Sequence, residues 1–523
     1  MRLGIDVGGT NTDAVILDSA DRVLAKGKTP NSEDIVSGIE KVVSEVVQHS
    51  GVDPGQITHA MLGTTQVTNA IIERRGLARV GILRLGAPAT KAIRPLAAWP
   101  QDLRISIEGP AAILPGGVEY DGRPISAFDE AAVREAVRKM RGRVEAFAVS
   151  SVFSPVKSDD ERRTAEIITE EVGEGIPVSI SSEIGSIGLL ERENATILNA
   201  AVTQVALRVV RAFESALRRL GIEAQLFLSQ NDGTLMTIDY ALRYPILTVA
   251  CGPTNSIRGA AFLSGLDDAV VVDVGGTSTD VGVLSSGFPR ESAIAVEIGG
   301  VQTNFRMPDL LSIGLGGGSI VRLVSDGPDD EVHVGPESVG YAITKKALCF
   351  GGDTLTMTDV AVSRGMAEIG DRRKIRVEQN VVEAAYCRAE EMFEEAIDRM
   401  KTSSQDVPVV AVGGGSILLP EKLPGVSKLH KPPHFEVANA VGAAIAQASG
   451  TIDRVFSLDN RSRDDVMDEA RKTAFEEAVR AGADEESLEI VEVEEVPLAY
   501  LPGNAVRIKI KAAGRLKSYR EDA

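Results

Sequence analysis

Two aspartates far apart in the chain open the same string. Residues 4–17 read GIDVGGTNTDAVIL and residues 271–284 read VVDVGGTSTDVGVL, so D-V-G-G-T-x-T-D recurs at a constant offset. Each copy has the pattern of a buried strand, a Gly-Gly turn and a second apolar strand. Glycines at such a turn let backbone N–H groups approach a phosphate closely, and threonine hydroxyls add hydrogen bonds. The candidate cradle residues are Gly8, Gly9, Thr10 and Asn11 in the first copy and Gly275, Gly276, Thr277 and Ser278 in the second. An aspartate ending the preceding strand, Asp6 or Asp273, has the chemistry to hold Mg²⁺ through water and offset phosphate charge. Asp13 and Asp280, just past each turn, could orient water, bind metal or cap backbone. One copy alone would equally suit a glycine hairpin over a satisfied buried acid. Two copies point to phosphate.

A third glycine run, AVGGGSIL at 411–418, follows a strand pattern, and Gly413, Gly414 and Gly415 would let an adenine or ribose lie against bare backbone. The order phosphate, phosphate, adenosine is that of the actin/Hsp70/sugar-kinase superfold. The expected fold is therefore α/β, with two ribonuclease-H-like lobes. Strand patterns at 59–66, 78–86, 144–154 and 176–184 alternate with helical ones at 68–76, 129–142 and 161–173, which indicates layered sheets that are at least partly parallel. The stretch 90–125 has no sustained period and reads as irregular. A helical stretch over roughly 193–220 leads to LFLSQNDG, and a small-residue helix is expected over 435–450. From 451 a charged helix and two strand patterns suggest a small C-terminal α/β appendage. The expected division is an N-terminal lobe over 1–182, a second lobe over 183–450 and the appendage over 451–523.

The 523 residues are too many for one core, and 43% hydrophobic with 25% charged residues is the balance of an ordinary globular protein. A formal net charge of −19 disfavours non-specific binding to nucleic acid or anionic lipid. Three cysteines, Cys251, Cys349 and Cys387, show no CxxC spacing. They suit small core fillers in a reducing compartment, and no apolar run approaches a bilayer span. The expected location is the cytoplasm. His59, His333, His430 and His434 show no metal-ligand spacing.

The strings LGIDVGGTNTDAVILD, LGTTQVTNAIIERRG (62–76), VVVDVGGTSTDVGVL, IGLGGGSI and VGPES (334–338) resemble the hydantoinase A/5-oxoprolinase family over roughly residues 1–450. That resemblance implies ATP-dependent activation of an amide or carbonyl oxygen by phosphorylation, followed in cyclic-amide members by ring opening with water. It implies phosphate cradling by both turns and Mg²⁺ at Asp6 and Asp273. It places Thr64, Thr65 and Asn69 near the transferred phosphoryl or substrate, although helix capping would also account for them. Gly316, Gly317 and Gly318 would form a close-approach loop beside the substrate, with an ordinary glycine turn as the alternative. Glu183, Thr358 and Asp359 are weaker candidates for substrate contact, and Glu73 and Arg74 fit a solvated helix face as readily as the site. A second, hydantoinase B-like subunit is implied as partner, and self-association is left open. Three departures mark a separate branch: Asn11 where many members carry an aromatic residue, Leu62 where many carry His, and 341–353 without the usual Pro-Gly-Pro-Ala-Cys-Tyr-Gly pattern.

Two other readings start from the same site. A small-molecule kinase would release its phosphorylated product, but needs a carboxylate base that the sequence does not single out. A nucleotide-switched ATPase or activator would hydrolyse slowly and change partner affinity; the absence of a Cys pair for an iron–sulfur cluster weighs against its redox version.

Overall fold

The computed structural model describes residues 1–30, 35–292, 296–305, 307–324, 331–459, 461–499 and 504–517. The first echo folds as an antiparallel hairpin of Arg2–Val7 and Asn11–Leu17, closed where the Gly8 N–H donates to the Asn11 carbonyl at 3.0 Å. Val23–Pro30 pairs antiparallel with Asn11–Leu17, while His59–Thr64 and Gln225–Ser229 follow in parallel on the other side. The second echo repeats the plan. Ala269–Val274 and Thr279–Ser285 form the hairpin, Leu310–Ile313 adds antiparallel, and Val407–Val412 and Val426–His430 add in parallel. Three antiparallel strands followed by two parallel ones, made twice, is the two-lobed architecture of the actin/Hsp70/sugar-kinase superfold.

Sheet membership cuts across the boundaries expected at 182/183 and 450/451. Gln225–Ser229 completes the first lobe although the chain has already passed the expected border. The first sheet then continues through Leu235–Thr237, Ala448–Phe456, Val506–Gly514 and Glu489–Pro497, nine strands in all. The C-terminal strands therefore extend the first sheet, with the helix Arg463–Ala481 laid over them. A separate sheet of four parallel strands, Glu108–Pro115, Val80–Ala87, Ala146–Ser151 and Val178–Ile180, lies between the first and second phosphate motifs in sequence. Glu108–Pro115 falls in the stretch expected to be irregular. Its alternation is weak because most of it is only half-buried.

Two helices lie between the lobes. Cys251–Ser264 packs Ile257 and Ala260 on Val271, Leu284 and Val410 of the second sheet. Ala438–Ile445 packs Ala440, Val441 and Ala444 on Val15 and Leu17 of the first. They cross at glycine. A Cβ on Gly259 would land on the Ala438 carbonyl oxygen, and one on Gly442 would land on that of Asn255. Gly4 receives the Ala440 carbonyl in the same way. Small residues are required here because the backbones themselves are in contact.

The C-terminal extension is tied to the second lobe by buried charge. The Lys509 ammonium, 1% exposed, lies 2.7 Å from Glu291 Oε2 and 2.7 Å from Glu492 Oε1; Lys511 Nζ lies 2.7 Å from Asp232 Oδ2. The two lysines hold Glu291 below the usual carboxylate range in spite of its burial. Lys509→Met takes the ammonium from Glu291 and Glu492 while Lys511 Nζ remains 3.6 Å from Glu291 Oε1, and is expected to destabilise the protein by about 1–3 kcal/mol. The check is the urea midpoint, with Lys509→Met/Glu291→Gln recovering part of the loss; an unchanged midpoint in the single variant would show the cluster to be energetically idle. Among the described residues no helix is long and apolar enough to cross a membrane.

Candidate active site

The two turns meet face to face. Thr10 Oγ1 and Thr277 Oγ1 are 3.4 Å apart, and a Cβ on Gly276 would sit 3.3 Å from Thr10 Oγ1. Gly9 and Thr277 are exposed at the mouth, whereas Asp6 and Asp13 are buried beneath it. Cross-strand register sets the aspartates side by side, Asp6 opposite Asp13 in one lobe and Asp273 opposite Asp280 in the other.

Side chains from the inter-lobe helices hold these acids. Asn439 Nδ2 donates to Asp6 Oδ2 at 3.0 Å and to Asp13 Oδ2 at 2.9 Å. Asn255 Nδ2 bridges Asp6 Oδ1, at 3.5 Å, and Ser229 Oγ, at 3.1 Å. Its neighbour Ser256 donates to Asp273 Oδ2 at 2.5 Å. Adjacent residues of one helix thus touch the acid of each lobe. The Ser312 hydroxyl donates to Asp280 Oδ1. On the far side of Asp13, Lys28 Nζ lies 2.9 Å from Oδ1 and 3.0 Å from Oδ2.

The electrostatics follow from burial against few charged partners. Burial, with the neighbouring charge of Asp13, pushes the Asp6 carboxyl up to about 7. Burial likewise raises Asp280 to about 6, and raises Asp273 against the opposing Ser256 hydrogen bond. The charge of Asp273 adds to the rise of Asp6. Amide and hydroxyl donors do not neutralise such acids. They fit a divalent cation held through water beside phosphate, which needs one or two carboxylates and no closed protein cage. Among the described residues no group of three or more His, Cys, Asp or Glu side chains forms such a cage.

The other sequence-derived candidates divide. Thr64 ends its strand with its N–H 3.4 Å from Cys251 Sγ; Thr65 N–H and Oγ1 donate to the Val7 carbonyl, at 3.2 and 3.4 Å. Asn69 Nδ2 reaches Thr65 Oγ1 at 3.4 Å. Thr65 heads the helix Gln66–Glu73 without a side-chain capping bond, so the three residues form a shelf at the start of the first turn. Gly413, at φ +81°, lies against Asp273, and a Cβ on Gly415 would meet the Gly275 carbonyl oxygen at 2.6 Å. Gly414 is exposed with open space above it. This run therefore does adjoin the second turn.

Gly316, Gly317 and Gly318 stand differently from the expectation. They are buried under the second turn, with Gly317 N donating to Gly275 O at 3.1 Å, Gly318 N to Gly276 O at 2.6 Å and Gly316 N to Ser319 Oγ at 2.8 Å. Their N–H groups are spent inside the protein, which makes the run a support for the cradle. Thr358 caps this support through Gly317 O, and Asp359 is consumed by the N–H groups of Leu348, Cys349 and Thr356. Glu183 is held by Arg243 and Tyr244 in the wall of a cavity of about 380 Å³ lined also by Asn231, Tyr240 and Glu477. Arg74 belongs to no solvated face: it donates to Ile71 O, Gly299 O and Asp102. Cys251 is buried with its thiol pushed up to about 12 by burial and by Asp6, a neutral packing group at the site.

The fold and paired hairpins define a two-lobed α/β protein of the actin/Hsp70/sugar-kinase superfold. Residues 2–172 match the model of the hydantoinase/oxoprolinase N-terminal region, and residues 192–366 match that of hydantoinase/oxoprolinase. The chain belongs to the hydantoinase/oxoprolinase family. It is 26% identical to caprolactamase subunit alpha of Pseudomonas jessenii over 388 residues, covering 70% of this chain and 54% of that protein. It is 28% identical to the acetophenone carboxylase gamma subunit of Aromatoleum aromaticum over 392 residues, covering 69% and 53%. The chain spans about half the length of these curated relatives. The crystal structure of the ATP-dependent caprolactamase from Pseudomonas jessenii shares the fold, with a TM-score of 0.78, 19% identity and coverage of 99% of this chain and 88% of that one.

Proposed function

We propose that the chain is the ATP-using subunit of an amidohydrolase of hydantoinase/5-oxoprolinase type, which activates a cyclic amide or related carbonyl by phosphorylating its oxygen. The observation that carries this reading is the apposition of two D-V-G-G-T turns over two pairs of buried aspartates. The reading of the substrate class is supported by relatives named as a caprolactamase and an acetophenone carboxylase subunit. Both are subunits by name, which supports a second, B-type partner for this chain.

An unstrained lactam is a poor electrophile, and phosphorylating its oxygen turns that oxygen into part of a leaving group. The carbonyl oxygen bonds to the terminal phosphorus as the bond to ADP breaks. Water then adds at the carbon, the C–N bond opens with the nitrogen taking a proton, and a second water hydrolyses the acyl phosphate so formed, releasing the carboxylate and inorganic phosphate. The protein's work is to align and neutralise. The N–H groups of Gly8 and Gly275 close the two turns, so Gly9–Asn11 and Gly276–Ser278 would present theirs to phosphate oxygens, and the Gly413–Gly415 run would offer bare backbone to the adenosine. Asp6 and Asp273 would hold Mg²⁺, whose chemistry is to draw charge from the phosphates. Thr64, Thr65 and Asn69 would flank the incoming carbonyl.

The test is Mg²⁺-dependent phosphate release from ATP, alone and with cyclic amides, ureides or simple ketones. Stimulation by one class with ring-opened product is the expected result. A phosphorylated substrate that accumulates unhydrolysed would replace the reading with a small-molecule kinase. ATP binding that no compound stimulates, with or without a B-type subunit, would replace it with a nucleotide switch.

A further inference from the structure

The lobes carry the same row of side chains across their three antiparallel strands, up to its last member. In the first, Asp6 faces Asp13 and Asp13 faces Lys28 in strict register. In the second, Asp273 faces Asp280 and Asp280 faces Ser312. Two positions are identical in kind and the third is not. The serine brings a hydroxyl and no charge; the lysine brings a cation to a row whose other two members are acidic.

Lys28 is also placed to act on something other than Asp13. Its ammonium touches both Asp13 oxygens and the Glu436 carbonyl, the last at 3.1 Å, while about a third of the side chain, 34%, stays open. Its charge also opposes the rise that burial imposes on Asp273 of the opposite lobe. Asp13 keeps a second donor, Asn439 Nδ2, when the lysine turns away. An ammonium on a four-carbon stem is a mobile point charge suited to phosphate oxygens.

We propose that Lys28 is a catalytic residue that contacts the terminal phosphoryl group of bound ATP, leaving Asp13 to Asn439 when the nucleotide arrives. This rests on the reading of the site as an ATP site. The contact is to non-bridging oxygens, so it tells ATP from ADP. A lysine that merely props Asp13 makes no such distinction.

The experiment measures the affinities of a non-hydrolysable ATP analogue and of ADP by calorimetry, with Mg²⁺, for the wild type, Lys28→Met, Lys28→Gln and Lys28→Arg. A charge-assisted hydrogen bond lost from the terminal phosphoryl is expected to weaken the analogue by about ten- to a hundredfold in the Met and Gln variants. ADP should change by less than about twofold, and Arg, which keeps the charge, should recover most of the analogue's affinity. Equal weakening of both nucleotides would make Lys28 a prop for Asp13 and overturn the proposal, as would unchanged affinity for the analogue. Gln keeps a polar group beside Asp13 and gives the same comparison where Met fails to fold. A wild type that binds neither nucleotide would remove the ATP-site reading itself, an outcome plainly different from a lysine that does not discriminate.

Discussion

Asp6→Asn is expected to lower ATP turnover roughly a hundredfold or more while leaving the protein folded. Asparagine keeps the shape and still accepts from one of the two neighbouring amides, Asn255 or Asn439, but loses the charge that would hold the cation. Stability should move the other way. Asp6 is raised from its ordinary 3.8 to about 7 by burial, so the folded protein binds its proton more tightly than the unfolded chain. Its ionisation is therefore harmless below about pH 4 and increasingly unfavourable as pH rises towards 7. In metal-free protein the variant should match the wild type at pH 4 and exceed it at pH 8, by on the order of 2–4 kcal/mol. Phosphate release and urea midpoints at the two pH values check both halves. Wild-type turnover in this variant and in Asp273→Asn would refute the metal roles.

Gly442→Ala is expected to destabilise the protein by about 3 kcal/mol or more, a large effect for one methyl group. The new Cβ would strike the Asn255 carbonyl oxygen and lie 2.8 Å from the Gly259 nitrogen, and both obstacles are backbone. Relief requires the two inter-lobe helices to separate, which draws Asn255 off Asp6 and Ser256 off Asp273. Turnover should fall with stability. Gly175→Ala, where a Cβ meets nothing within 4 Å, serves as the control and should stay within about 0.5 kcal/mol. Equal urea midpoints for the two variants would mean that the crossing is not tight in solution.

Much of the site is legible in the sequence because its backbone chemistry is local. A Gly-Gly turn after an aspartate specifies its own hairpin, and its repetition reveals the second lobe. What escapes is what tertiary crossing decides. Asn439 is the polar member of a run of small apolar residues, ANAVGAAI, and that isolation is the signal available for it. Asn255 and Ser256 sit in an ordinary helical pattern, and nothing nearby says that neighbours will face opposite lobes. Lys28 alternates with Lys26 on an edge strand and reads as solvated. Gly316–Gly318 misleads for the opposite reason, since glycine runs look alike whether the backbone that approaches is a ligand's neighbour or another strand. Sheet membership is hidden too: pattern shows strands, while partners such as Gln225–Ser229 and His59–Thr64 are chosen across long stretches of chain.

The nine-stranded sheet has a consequence for how the protein is made. Synthesis delivers the chain from its N-terminus, and every strand of the second lobe, ending with Val426–His430, leaves the ribosome before Ala448–Phe456, Glu489–Pro497 and Val506–Gly514 do. The helix that covers Val15 and Leu17, Ala438–Ile445, also emerges late. The lobe that begins first is thus completed last, and its cleft-side apolar face waits uncovered while most of the chain is translated. Such a nascent chain needs shielding from aggregation until its final strands arrive.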